Sequence, residues 1–404
     1  MIFVGCDWSR HKHDLLVMDP EGSTLLKLTI PHAAEALDDV AQQIAELEAE
    51  PAEVRIGIEL HDGALLSWLL DQGYSVYGIN PKSAERARDR YRPSGGKDDR
   101  SDAFILADTV RTDRGYLRPI RPDSDVSQEL RAWVRFRARQ VRDRTAASQR
   151  LRALLAEWCP ALSALCDDLK RQWQRDLLRT FPLHADLSGA YGNRLRAFAR
   201  KHRLRPATYD RLLATRSQKP MPIPASRIGA LRAEILALIE RIDRLTQSVN
   251  EIEAELQRLV ADHPDAGIFQ SLPAHGTATT ATLLSAFGED RDGAPSWREL
   301  AARWGVAPVT VQSGRSRHVK RRRACDHVIN QALLFFAFRT AFMTGCWAAD
   351  FYQAKRSKGV EHYTALRCLA QRWVKIIYRL WADRIPYDER THQANRQRHR
   401  DIAA

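Results

Sequence analysis

Ile2-Phe3-Val4-Gly5-Cys6-Asp7 is a short apolar run that ends on a carboxylate. It is too short for a buried helix and too apolar for a loop, so it reads as a buried strand. A second run of the same kind, Val54–Ile58, ends on Glu59. Further along stands Lys97-Asp98-Asp99-Arg100-Ser101-Asp102-Ala103, at the start of a helical pattern. Asp99 and Asp102, at i and i+3, share one face of that helix. Asp98 lies about 100° round it and falls outside the set. Asp14 and Asp62 are nearby carboxylates that the pattern also leaves aside.

Working outward, residues 2–7, 15–18 and 24–30 read as three strands, with the turn Asp19-Pro20-Glu21-Gly22 between the last two. Residues 34–47 have helical apolar spacing. Residues 54–60 are a strand, 65–70 a helix and 74–80 a strand, and another helix follows. The order βββαβαβ-α is that of an RNase H-like α/β domain. There the first and fourth strands lie side by side, so Asp7 and Glu59 are expected next to each other, facing Asp99 and Asp102. Four converging carboxylates suit a hard divalent cation such as Mg²⁺, which takes oxygen ligands. Two such ions can stabilise the attacking and leaving oxygens of a phosphodiester transfer.

The chain has 404 residues, enough for two or three domains. With 63 Lys and Arg against 50 Asp and Glu, the net charge is +13, which favours a polyanionic partner. The six cysteines are scattered without a C-x-x-C pair, against a disulfide framework or a zinc site and in keeping with a reducing cytosol. No apolar run approaches 18 residues, so a soluble intracellular protein without a membrane partner is expected.

Residues 129–155 are helical and rich in arginine. Arg131, Arg135, Arg139 and Arg142 form one stripe, either a solvated face or a phosphate contact. Residues 183–225 look mixed and partly irregular, ending in Pro220-Met221-Pro222-Ile223-Pro224. Then Ile228, Leu231, Ile235, Leu238, Ile242, Leu245, Val249, Ile252, Leu256 and Leu259 alternate steps of three and four, the pattern of a coiled-coil helix. Its partner is either the 129–180 region folding back or another subunit. A dimer or tetramer is expected from that seam.

The last third reads as helical. Pro273-Ala274-His275-Gly276, before the run from Thr277, is similar to a helix-hairpin-helix turn offering backbone N–H groups to a phosphate. The stretch Val309-Thr310-Val311-Gln312-Ser313-Gly314 precedes Arg315, Arg317, Lys320, Arg321, Arg322 and Arg323. A serine there is ordinarily a turn residue. In so cationic a setting it also suits a nucleophile for a phosphoryl centre, whose oxygens need positive groups. The expected segments are 1–125 (α/β, acidic site), 126–264 (helical, coiled coil), 265–385 (mostly α-helical) and a polar, disordered tail, 386–404.

Together these motifs resemble the DEDD transposases of the insertion-sequence-110 family. Gly5-Cys6-Asp7 resembles the family's G-x-D, Glu59 its strand-end glutamate, and Lys97 to Ala103 its K-T-D-R-x-D-A signature. Residues 273–281 resemble its P-G-I-G-x-x-T-A stretch. Pro308-Val309-Thr310-Val311-Gln312-Ser313-Gly314 resembles its serine context, and Lys355-Arg356-Ser357-Lys358-Gly359 its late basic glycine. Departures are Leu60-His61-Asp62-Gly63 after the glutamate, Asp98 for Thr, and Ala274-His275 in the turn. The resemblance implies a RuvC-like domain binding Mg²⁺ through Asp7, Glu59, Asp99 and Asp102. It implies a C-terminal transposase domain in which Ser313 joins a DNA end covalently. It also implies a structured guide (bridge) RNA that pairs with target and donor DNA, and an active site shared between subunits. The alternative is a Holliday-junction resolvase in which the same acids activate water.

Overall fold

The computed structural model describes residues 1–59, 63–91, 99–121, 123–313 and 316–394. The chain divides into two compact units, Met1–Asp123 with Asp290–Ala294, and Ser124–Glu289 with Pro295–Ala404.

The first unit is built on strands β1 (Ile2–Trp8), β2 (Lys12–Met18), β3 (Thr24–Pro31), β4 (Val54–Ile58) and β5 (Ser75–Gly78), in the order β3-β2-β1-β4-β5. β1 pairs antiparallel with β2 and parallel with β4, so β1 and β4 end at the same sheet edge. Helices α1 (Ala34–Leu47), α2 (Ala64–Asp71), α3 (Pro81–Tyr91) and α4 (Asp99–Asp113) complete the unit. This is the mixed sheet and element order of the RNase H-like reading.

Strand periodicity decides which way the acids face. Ile2, Val4 and Cys6 pack with Leu37, Val40 and Ile44 of α1 and with Leu65, Leu66 and Leu69 of α2. Phe3 packs with Ala103, Leu106, Ala107 and Val110 of α4, on the other side. Because successive strand residues alternate faces, Asp7 continues the Phe3–Gly5 side, and Glu59 continues the Arg55–Gly57 side. Gly5 and Gly57 are register partners. A Cβ on Gly5 would lie 1.8 Å from the Ala103 carbonyl oxygen, and one on Gly57 would lie 2.6 Å from that of Leu106. The missing side chains let α4 lie directly on the sheet, which brings Asp102 to the strand ends.

The second unit is helical. Its framework is α5 (Asp125–Trp158), α6 (Pro160–Leu165), α7 (Gln172–Thr180), α8 (His184–Ser188), α9 (Gly192–Lys201), α10 (Pro206–Ser217) and α11 (Ala225–Asp262). After these come α12 (Ala266–Gln270), α13 (Thr277–Phe287), α14 (Trp297–Arg303), the hairpin β6 (Val309–Ser313) and β7 (Ser316–Lys320), then α15 (His327–Ala341), α16 (Trp347–Arg356) and α17 (His362–Asp383).

Four expectations change here. First, the periodic seam of α11 is covered within the chain. Leu231, Ile235, Leu238, Ile242, Val249, Ile252, Leu256 and Leu259 are buried, and α5 runs antiparallel alongside, tied by Arg137–Glu253 and Arg150–Glu234 pairs at 2.5 and 2.6 Å. An uncovered seam therefore gives no reason for a dimer. Second, residues 183–225 are not irregular but hold α8, α9 and α10. These helices are short and lack a Ser, Thr, Asp or Asn at their N-caps, which are Leu183, Tyr191 and Arg205, although Pro206 does open α10. Third, the last third is not wholly helical: β6 and β7 form an antiparallel hairpin. Fourth, the start of the tail is docked. Trp347 Nε1 donates to Tyr387 Oη at 3.0 Å, the Tyr387 hydroxyl donates to Glu389 at 2.7 Å, and residues 389–394 are helical. Residues 395–404 lie outside the described residues. No described helix is long and apolar enough to cross a membrane.

Candidate active site

Asp7, Glu59 and Asp102 line one cavity of about 510 Å³ at the edge where β1 and β4 end. Asp102 sits in the first turn of α4 and is 8% exposed. Asp99 begins the same helix, but its side chain lies outside the described residues. Asp102 is held by Arg88 of α3, whose Nε and Nη2 both donate to Oδ1, at 2.9 and 2.6 Å.

Four charged neighbours that sequence reasoning missed or set aside share the cavity: Lys12, Asp14, Glu85 and Arg88. Asp14 is the register partner of Asp7 across the β1–β2 hairpin. It is 5% exposed, accepts a hydrogen bond from Thr29 Oγ1 at 2.5 Å and pairs with Lys12 at 3.2 Å. The signal that could have found it is the hairpin itself, since a short turn after Trp8 puts the residue seven places on opposite Asp7. Arg88 carried no such signal, because nothing local marks which α3 side chain reaches the acids. The field of the cluster is felt by Cys6: burial first, then the charges of Asp7 and Asp14, push its thiol up to about 12. That thiol is protonated and inert at neutral pH.

The donor set is all carboxylate oxygen, which suits a hard divalent cation. Among the described residues no three His, Cys, Asp or Glu side chains already stand together as a metal cluster. Both Arg88 bonds fall on Oδ1 of Asp102, and a carboxylate has a second oxygen that can ligate.

Ser313 is the last residue of β6, in the second unit, and is exposed. It pairs with Ser316 at the closed end of the hairpin. The register puts Val309, Val311 and Ser313 on one face with Ser316, His318 and Lys320. On that face Ser316 Oγ and His318 Nε2 are 2.9 Å apart. Val311 and Val319 are 46% and 63% exposed, so the hairpin is an arm with neither face packed into a core. Lys320, Arg321 and Arg323 are exposed and Arg322 is half-buried. Arg315, with the side chain of Arg317, lies outside the described residues.

The arginine stripe splits in two. Arg135 is spent on Asp326, Nη2 to Oδ2 at 2.5 Å, and Asp326 in turn caps α15 through the N–H groups of Val328 and Ile329. Arg131 points its Nε at the Ser285 carbonyl, 3.4 Å away. Arg139 and Arg142 are exposed, with the Arg139 guanidinium over the Phe136 ring. Gly276 is the N-cap of α13, and a Cβ there would lie 3.2 Å from Arg339 Nη1. The turn thus sets a guanidinium beside a helix N-terminus.

Residues 4–160 match the DEDD transposase family of IS110 elements, and residues 266–353 match the transposase family IS116/IS110/IS902. Similar proteins include the IS117 mini-circle protein of Streptomyces coelicolor, 28% identical over 96% of this chain and 95% of that protein. The IS900 42 kDa protein of Mycobacterium paratuberculosis is 28% identical over 97% of this chain and 98% of its own length. The IS110 43.6 kDa protein of Streptomyces coelicolor is 26% identical over 96% of each chain. A DEDD domain implies dependence on a divalent metal, and a transposase implies DNA as partner. With its carboxylate-lined cavity at the edge of an RNase H-like sheet, the chain belongs to the IS110 family of insertion-sequence transposases, enzymes that act on DNA.

Proposed function

We propose that this transposase cuts and rejoins DNA strands through Ser313, with Mg²⁺ held by Asp7, Glu59, Asp99 and Asp102. The observation that carries the reading is the convergence of Asp7, Glu59 and Asp102 on one cavity. Mg²⁺ bound there would neutralise charge on the phosphate oxygens. Ser313 Oγ attacks the phosphorus, loses its proton and forms an O–P bond, while the bond to the leaving sugar oxygen breaks and that oxygen takes up a proton. A sugar hydroxyl of the second strand then displaces Ser313, restoring the serine. The exposed hairpin suits this role, since its tip can approach a duplex without unpacking a core. Lys320 ends the hairpin and Arg321 and Arg323 follow it, where a phosphate backbone needs cations.

Exchange between two duplexes needs a nucleophile for each cut strand, which supports assembly as a dimer or tetramer. A bridge RNA pairing with target and donor DNA would supply sequence choice, leaving the protein to read backbone and shape. The support for that RNA is the family resemblance, and the place of action would be the bacterial cytosol.

The test is a Ser313→Ala variant incubated with element DNA and Mg²⁺. Loss of a covalent protein–DNA adduct together with loss of strand exchange is expected. Strand cleavage that persists without an adduct would instead identify a resolvase in which the acids activate water.

A further inference from the structure

The second unit contains a cavity of about 570 Å³ between α16, α17 and the segment that follows α17. Its volume lies within the usual range of ligand pockets, roughly 300–1,000 Å³. Phe351 of α16, Ile376 and Leu380 of α17, and Tyr387 and His392 line it, with Trp347 nearly buried behind Tyr387 and His392. The walls are fixed. Trp347 is 3% exposed, and its ring stacks at a tilt on His392, centroids 5.0 Å apart. The Tyr387 N–H donates to Ser271 Oγ at 2.7 Å, and Glu389 accepts from the Trp347 N–H at 3.1 Å. The aromatic rings are therefore set before any ligand arrives.

The mouth is cationic. Arg372, Lys375 and Arg379 line the same cavity and are exposed on one face of α17, at i, i+3 and i+7. Lys375 Nζ is steadied 5.6 Å from the centroid of the Trp297 ring. Of the acids nearby, Asp388 accepts from the Thr391 N–H at 2.6 Å, and Asp383 pairs with Arg379 at 2.5 Å. Arg372 and Lys375 give the entrance a positive field above an aromatic-walled, partly apolar interior.

That combination fits one chemistry. A flat aromatic ring satisfies the interior and a phosphate satisfies the rim, which together describe a nucleotide. A paired base cannot present its face to a side-wall pocket, so the nucleotide must be unstacked. We propose that this cavity binds one unpaired nucleotide of a DNA strand, its base against Phe351, Tyr387 and Ile376 and its flanking phosphates on Arg372 and Lys375. DNA is the partner that the family establishes, and strand cutting and exchange create unpaired DNA. The inference does not depend on Ser313 or on metal.

The experiment measures binding of the full-length protein to a fluorescent single-stranded DNA. Comparison ligands are the same strand with one abasic position, its duplex, and RNA of the same sequence. Arg372→Ala/Lys375→Ala should weaken single-strand binding about tenfold, and removing two phosphate contacts should flatten the salt slope by roughly 1.4. Ile376→Trp, which fills the cavity, should weaken single-strand binding by a similar factor with the slope unchanged, because it removes stacking and not charge. Duplex affinity should stay within about twofold for both variants, and thermal melting reports that each is folded. Three outcomes would overturn the proposal. They are equal losses on single strand and duplex, an Ile376→Trp variant that binds like the parent, or RNA bound tenfold tighter than DNA by the parent and not by the variants.

Discussion

Arg88 Nη2 stands 2.6 Å from Asp102 Oδ1, with Nε on the same oxygen at 2.9 Å, so a guanidinium sits on a carboxylate of the proposed metal site. Arg88 and a divalent ion bound there would compete for one charge. Arg88→Ala should therefore tighten divalent binding at least severalfold, because even at the dielectric of bulk water a unit charge about 4 Å away is worth ~1 kcal/mol. Without metal the variant should lose about 1–3 kcal/mol, because the nearly buried Asp102 is left without its donor. Saturating metal should restore part of that loss. Calorimetric titration with Mn²⁺ and melting with and without metal check both statements; unchanged affinity would show that Arg88 and the ion do not share Asp102.

Gly5→Ala tests how the sheet delivers that carboxylate. Its Cβ would stand 1.8 Å from a backbone oxygen of α4, which cannot rotate away as a side chain could. The helix must lift, carrying Asp102 with it. A destabilisation of about 1–3 kcal/mol in urea unfolding is expected, at the scale of overpacking a core. DNA cleavage should fall further than the loss of folded protein explains.

Much of this first unit is readable from the chain, because strand signals there are local: short apolar runs, of which those of β1 and β4 end on an acid. The helix at 34–47 is read with both ends in place, since its apolar spacing is regular. Asp14 was readable only through the register of the β1–β2 hairpin, and Arg88 was not readable, because its place depends on how α3 packs. In the second unit the seam of α11 is visible, but the partner that covers it is not, since apolar periodicity says only that something must. The hairpin carrying Ser313 has β-branched Val309, Thr310 and Val311, but the dense charge after it hides the strand pattern of β7.

The arginine stripe should divide by function as it divides by contact. Arg135→Ala breaks the pair with Asp326 and loosens the cap of α15, so a stability loss of about 1 kcal/mol is expected. Because that guanidinium is already engaged, the salt dependence of DNA binding should hardly change. Arg139→Ala and Arg142→Ala should do the reverse, leaving melting unchanged while each lowers the duplex salt slope by about 0.9. Equal slopes for all three variants and the parent would remove the stripe from the DNA interface.

Glu289 gives the second unit an acid-labile joint. It accepts from the Ser124 and Ser127 hydroxyls, both at 2.5 Å, and lies 3.6 Å from His263 Nε2. Partial burial alone would raise its pKa, but the two hydroxyls and His263 outweigh burial and hold it below the usual carboxylate range. A carboxyl with a depressed folded pKa adds stability that is fully present above the unfolded value of about 4.3. That contribution is lost as pH falls through the lower folded value. Glu289→Gln should therefore cost about 1–2 kcal/mol at pH 7, where it weakens two hydrogen bonds of a charged acceptor. Below pH 4 its stability should approach that of the parent, whose own Glu289 is then taking up a proton. Ser124 opens the second unit and Glu289 closes its first segment, so the same bonds tie the two points where the chain leaves it. Urea unfolding at a series of pH values checks this, and a constant gap between variant and parent from pH 7 to pH 3 would show that Glu289 is not the titrating group.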